Sequence, residues 1–256
     1  MQRRKFLSIS GAAIGTTLAA GFTHADESNS KAYSTSESIA TADWKALRAL
    51  FPLTHDYIQL ATFLLASHPR PVTAAIEHHR REFDKNPADY WHAHYQTIDT
   101  EIAATAARYM GGDGEQIALT DSTTMGLALV YSGLKLAPGQ EILQTTHDHY
   151  STDMSLAHRA ARTGAKVRQI SLYDDPAQAR LDTILARLKQ GISAKTSVVA
   201  VTWVHSSTGV KLPIRAMADV IQSVNKKRAA QDQILFCVDG VPVSYTHLTL
   251  PTSYPV

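Results

Sequence analysis

From residue 116 onward, short apolar runs alternate with amphipathic stretches of helical length. The runs at 116–119, 141–145, 166–172, 197–204 and 234–239 contain little polar alternation, the pattern of strands covered on both faces. Between them, 125–134, 152–162, 181–188 and 214–229 repeat their apolar positions with the period of a helix. Regular strand–helix alternation predicts an α/β fold: three αβα layers around a mostly parallel sheet. The run Ile234-Leu-Phe-Cys-Val-Asp239 reads as a central strand, buried on both sides and ending in an acid. Upstream the pattern is looser. It predicts a helix over 44–51, a short strand over 57–60 and an apolar loop over 61–67. A helix over 72–83 is opened by Pro69-Arg-Pro71 and broken by Asn86-Pro-Ala-Asp-Tyr-Trp91. A last one over 97–110 is closed by Gly111-Gly112.

The first 25 residues follow another logic. Gln2-Arg-Arg-Lys-Phe-Leu-Ser8 matches the twin-arginine export pattern, and a modest apolar run leads to Thr23-His-Ala25, a small-residue cleavage site. That run is too short and too rich in Gly, Ser and Thr to span a bilayer, which takes about 20 apolar residues. The expectation is a bacterial protein handed to the twin-arginine machinery, periplasmic or secreted, with no stable membrane anchor. Residues 26–43 are rich in Ser, Thr and Ala and read as a flexible lead-in to a domain over 44–241. The leader also bears on charge. It holds three of the 25 basic side chains and none of the 23 acids, so the formal +2 becomes near-neutral beyond it. No basic stripe marks a nucleic-acid partner. The single cysteine, Cys237, allows no internal disulfide and reads as a small core residue.

Four polar clusters each follow a predicted strand. Thr120-Asp-Ser-Thr-Thr124 opens a helix, where hydroxyls and free N–H groups can hold a phosphate; simple N-capping needs only one of them. Thr146-His-Asp-His149 offers an imidazole to stack on a ring, a pair of metal ligands, or a plain surface cluster. His205-Ser-Ser-Thr-Gly209 can present a hydroxyl or simply turn the chain. Asp239 is costly at the end of a buried strand unless a cation meets it, although it can also start a turn. Phosphate anchor, stacking imidazole, hydroxyl and carboxylate at one sheet edge together fit pyridoxal 5'-phosphate.

These residues carry a family resemblance. Asp121-Ser-Thr-Thr-Met-Gly126, Thr146-His-Asp-His149, His205-Ser-Ser-Thr-Gly-Val-Lys-Leu-Pro213 and Phe236-Cys-Val-Asp-Gly240 resemble, in order and spacing, the cofactor-binding segments of the class V aminotransferases. That family includes cysteine desulfurases and isopenicillin N epimerase, and the 69–91 region is similar to the epimerase branch. The resemblance implies the large domain of a pyridoxal-phosphate transferase, incomplete at its C-terminus, acting on an amino acid or small amine substrate. It implies phosphate binding by Ser122, Thr123 and Thr124, ring stacking by His149, a hydroxyl from Ser206 and pairing of Asp239 with the ring nitrogen. For the parent protein it implies a homodimer.

The sequence departs from the family in four respects. Many members carry Asn where Ser206 stands, and His or Gln where Pro242 stands. No lysine follows Lys227, so the lysine that forms the Schiff base is missing and no catalytic residue is assigned. Residues 242–256 carry no charge, continue no helix and read as a non-native tail joined to a truncated gene. The chain by itself is then expected to be inactive, or nearly so. Two alternatives stand beside this reading: a non-catalytic exported binding protein of the same fold, and a metal-dependent hydrolase built on His147, Asp148 and His149 with His205 and Asp239.

Overall fold

A computed structural model describes residues 43–59 and 66–241. The chain divides into two units at Pro52/Leu53. In the first, helix α1 (Trp44–Ala49) starts where the Asp43 carboxylate accepts the Ala46 N–H at 2.9 Å. The second holds everything that follows.

Its frame is a sheet of β1 (Glu141–Thr145), β2 (Lys166–Ile170), β3 (Thr196–Thr202) and β4 (Leu235–Asp239). The order is β2-β1-β3-β4 and all pairs are parallel. Parallel neighbours need crossovers, and helices α6 (Tyr150–Thr163), α7 (Leu181–Gly191) and α8 (Ile214–Asn225) supply them in turn. Because β2 and β3 lie on opposite sides of β1, the chain changes direction between β1 and β3. In open α/β sheets that is where ligands bind, outside the carboxyl ends of the strands.

Alternate strand residues serve opposite faces. Ile142, Val198 and Ala200 pack with Tyr131 of α5 (Thr123–Gly133) and with Leu156 and Ala160 of α6. Leu143, Val199 and Val201 pack with Ile184 and Leu188 of α7 and with Met217 and Ile221 of α8. Each of the Val, Leu, Ile and Met side chains fully removed from water contributes about 1.5–3 kcal/mol of gross burial. The three-layer αβα architecture is therefore as the apolar pattern predicts.

Some expectations need correction. Residues 116–119 form no strand: a 3-10 turn (Gly114–Gln116) runs into an extended segment unpaired among the described residues. A four-residue apolar run makes a strand only when a ladder partner lies beside it. Residues 57–59 are likewise not strand, and Leu60 with 61–65 lies outside the described residues. Asn86 ends α2 (Arg70–Lys85) and also starts α3 (Pro87–His94), its side-chain oxygen accepting the Asp89 N–H at 3.2 Å. The Asn-Pro pair is thus a corner between two helices, with proline in the first turn where no N–H is needed. Helix α4 (Ile98–Met110) follows. Finally, β4 is the edge of the sheet among the described residues, with Leu235 half exposed and only Asp239 buried. Apolar composition alone does not say how many neighbours a strand has.

Candidate functional site

The carboxyl end of the sheet gathers polar groups that the strands themselves cannot satisfy. Ladder pairing of β1 with β3 stops at Leu143 and Val199. Just beyond, Asp148 bridges the gap: one carboxylate oxygen accepts the Thr145 N–H and the other the Thr202 N–H, each at 2.6 Å. Burial raises the Asp148 pKa and these two N–H groups oppose the rise. The acid thus replaces the missing ladder bonds where the chain changes direction.

One residue on, His149 donates its backbone N–H to Thr202 Oγ1 at 3.3 Å. Its imidazole caps α6, with Nδ1 2.7 Å from Ser151 Oγ and accepting the Ser151 N–H. Tyr150 packs on the ring with centroids 4.4 Å apart. Thr202 is also in register with Asp239 on β4, and Trp203 donates its N–H to the Asp239 carbonyl at 2.8 Å. Hence His149 and Asp239 flank Thr202 along one edge.

Asp239 is 4% exposed. Its carboxylate accepts the Val241 N–H at 3.1 Å, and no cationic side chain pairs with it among the described residues. A carboxylate taken from water with a single backbone donor carries a large desolvation cost. On the neighbouring face the Tyr131 hydroxyl is buried without a hydrogen-bond partner among the described residues. Burial, then the Cys237 thiol and the Asp239 carboxylate, keep it protonated far above the usual phenol range. Cys237, half-buried, has its own pKa pushed up to about 11 by burial. It is a protonated, inert thiol.

Helix α5 packs on the same sheet face as α6. The Arg159 guanidinium, near the end of α6, donates to the Leu134 carbonyl that closes α5. Helix α6 starts just beyond the carboxyl end of β1. Ser122 is the N-cap of α5, its hydroxyl accepting the Met125 N–H at 3.2 Å. Thr123 and Thr124 open the helix with exposed side chains. A Cβ on Gly126 would stand 3.1 Å from Thr120 Oγ1, so this turn packs tightly. Of the three hydroxyls the sequence singles out, Ser122 is occupied by the cap.

Ser206 is exposed in the turn between Val204 and Lys211, which pair as an antiparallel bridge. Behind it, His205 is fully buried and its pKa is lowered to about 4, first by burial and then by His147. The ring is neutral, with Nδ1 2.6 Å from the Tyr173 hydroxyl and Nε2 without a partner among the described residues. His147 stacks on Tyr173 with centroids 4.7 Å apart and planes at 3°. The imidazoles of 147 and 149 and the carboxylate of 148 thus turn to three different partners. Among the described residues no three such side chains converge as metal ligands, against the hydrolase alternative.

The family model for aminotransferase class-V matches residues 65–248. The chain belongs to the class V aminotransferases. Within that family it is 27% identical over 208 residues to the cysteine desulfurase of Haloferax volcanii, covering 71% of this chain and 48% of that protein. It is 33% identical over 209 residues to a probable cysteine desulfurase of Aeropyrum pernix, covering 77% and 47%. It is 27% identical over 186 residues to isopenicillin N epimerase of Streptomyces clavuligerus, covering 71% and 45%. The chain spans about half the length of these curated relatives. Among solved class V structures, C-DES with glycine covalently linked to its PLP cofactor superposes with a TM-score of 0.68 at 22% identity, covering 77% of this chain and 50% of that one. At that identity the likeness is one of fold: the parallel sheet and its covering helices are those of the class V transferase.

Sequence reading misses Tyr131 and Tyr173, and it offers Asp148 and His205 only as possible metal ligands. Asp148, Tyr173 and His205 act through partners far away in the chain, and only the His-rich strand exits gave any signal.

Proposed function

We propose that this chain is the cofactor-binding part of a pyridoxal-phosphate enzyme of cysteine desulfurase or epimerase type, acting on an amino acid or small amine. Asp239 supports this reading. A buried acid without a cationic partner among the described residues, together with a helix that opens on the exposed Thr123 and Thr124 hydroxyls, fits a molecule that is anionic at one end and a ring cation at the other. Thr123, Thr124 and the first N–H groups of α5 would hold the phosphate. Asp239 would keep a proton on the ring nitrogen, His149 would cover the ring face and Ser206 would meet the ring oxygen. Once bound, the cofactor supplies an electron sink for breaking a bond at the substrate α-carbon. The side chains here bind and orient it, and Asp148 holds the strand ends from which they project.

The proposal extends to the protein's setting. Arg3 and Arg4 would direct it to the twin-arginine route and the periplasm, and a second copy would complete a dimeric parent enzyme. With no lysine after Lys227, the 256-residue chain would hold the cofactor without a covalent bond at the family's usual position, and would not turn over.

The test is titration of the purified chain with pyridoxal phosphate, followed by tryptophan fluorescence and then borohydride reduction. Binding should saturate, and Asp239→Asn should weaken it about 10–100-fold, the worth of one hydrogen bond to a charged group. Reduction should leave no adduct confined to one lysine. Equal affinity in wild type and Asp239→Asn would refute the assignment.

A further inference from the structure

The loop carrying Ser206 is held from behind by a side chain outside all the segments so far assigned to the cofactor. Tyr173 leaves the end of β2, is 2% exposed, and places its hydroxyl 2.6 Å from His205 Nδ1 and 2.8 Å from Thr208 Oγ1. One hydroxyl therefore grips both residues that flank Ser206 and Ser207. The rest of the turn is closed by its own backbone: His205 donates its N–H to the Val210 carbonyl at 3.0 Å, and Gly209 donates to the His205 carbonyl at 2.7 Å. Gly209 takes φ +71, a left-handed conformation that costs glycine little. The Tyr173 ring is clamped in turn by His147, stacked at 4.7 Å, next in the chain to Asp148.

The exits of β2, β1 and β3, neighbours in the sheet, are thus tied together through one aromatic ring. Satisfying a buried phenol takes a single hydrogen bond. Here the second bond spans the turn. We infer that Tyr173 is a positioning residue for Ser206, fixing the turn so that the Ser206 hydroxyl is presented at the carboxyl edge in one orientation. The purpose of this pin rests on the cofactor reading above; its existence does not.

Two measurements separate them. Tyr173→Phe keeps the ring, its burial and the stack on His147, and removes only the grip. Amide hydrogen exchange should accelerate about 10-fold or more at Thr208, Gly209 and Val210 while the strands keep their protection, because local opening need not follow global stability. Thr208→Val should do the same and Thr208→Ser should restore slow exchange. In cofactor titrations, Tyr173→Phe should weaken binding about 10-fold, the order of one lost hydrogen bond, and should have no further effect in a Ser206→Ala background. Additive losses in that cycle, or exchange that rises uniformly over the whole sheet, would make Tyr173 an ordinary core residue and overturn the inference. If the turn loosens as expected while the wild type binds no pyridoxal phosphate, the pin stands and the cofactor reading falls.

Discussion

Asp239, His149 and His205 show how a side chain acquires its chemistry from its surroundings. Sequence places an acid at a strand end, and the fold buries it without a cation. His149 sits where a ring-stacking imidazole is expected and serves first as a helix cap. His205, read from sequence as part of a polar turn or a possible metal ligand, is the most deeply buried of the three. Its pKa carries a stability consequence. In the unfolded chain it takes a proton near its ordinary 6.5, and in the folded chain only near 4. Between those values the unfolded state binds more protons, so this residue's effect is to lower stability as pH falls from about 6.5 towards 4. Urea unfolding at about pH 7.5 and about pH 5 should differ by on the order of 2 kcal/mol more in the wild type than in His205→Gln. Parallel pH profiles for the two proteins would mean that the imidazole does not titrate in this way.

At the scale of elements, the apolar pattern locates β1 to the residue and the crossover helices to within a few. It misplaces elements where the outcome depends on neighbours. Among the described residues, 116–119 lack a ladder partner, the 86–91 break is a corner between helices, and β4 stands at an edge. Helix ends are more legible, because their signals are local. Gly164 closes α6 at φ +74, and a Cβ there would also meet Pro138 at 3.2 Å. Gly164→Ala should therefore cost about 1–2 kcal/mol in thermal or urea unfolding, from left-handed strain plus crowding. Gly133→Ala, at a position with open space and no positive φ, is the control and should be neutral or slightly stabilising. Equal effects at both sites would remove the strain argument.

For the whole molecule, the proposed export rests on the first residues and can be tested without the fold. Arg3→Lys with Arg4→Lys should abolish delivery of a fused reporter to the periplasm, and undiminished export would exclude the twin-arginine route. Other features were legible in the sequence because their causes are local or periodic. Unbroken apolar runs require cover on both faces, helical periodicity supplies it, and polar clusters at strand ends mark the candidate binding edge. The family resemblance rests on those same segments. What only the tertiary structure decided are the partnerships across long separations: Asp148 with Thr202, Tyr173 with His205 and Thr208, and Thr202 beside Asp239. Hydrogen bonds and burial depend on which strands become neighbours. Strand order follows from how the helices pack, and no single run of residues encodes it.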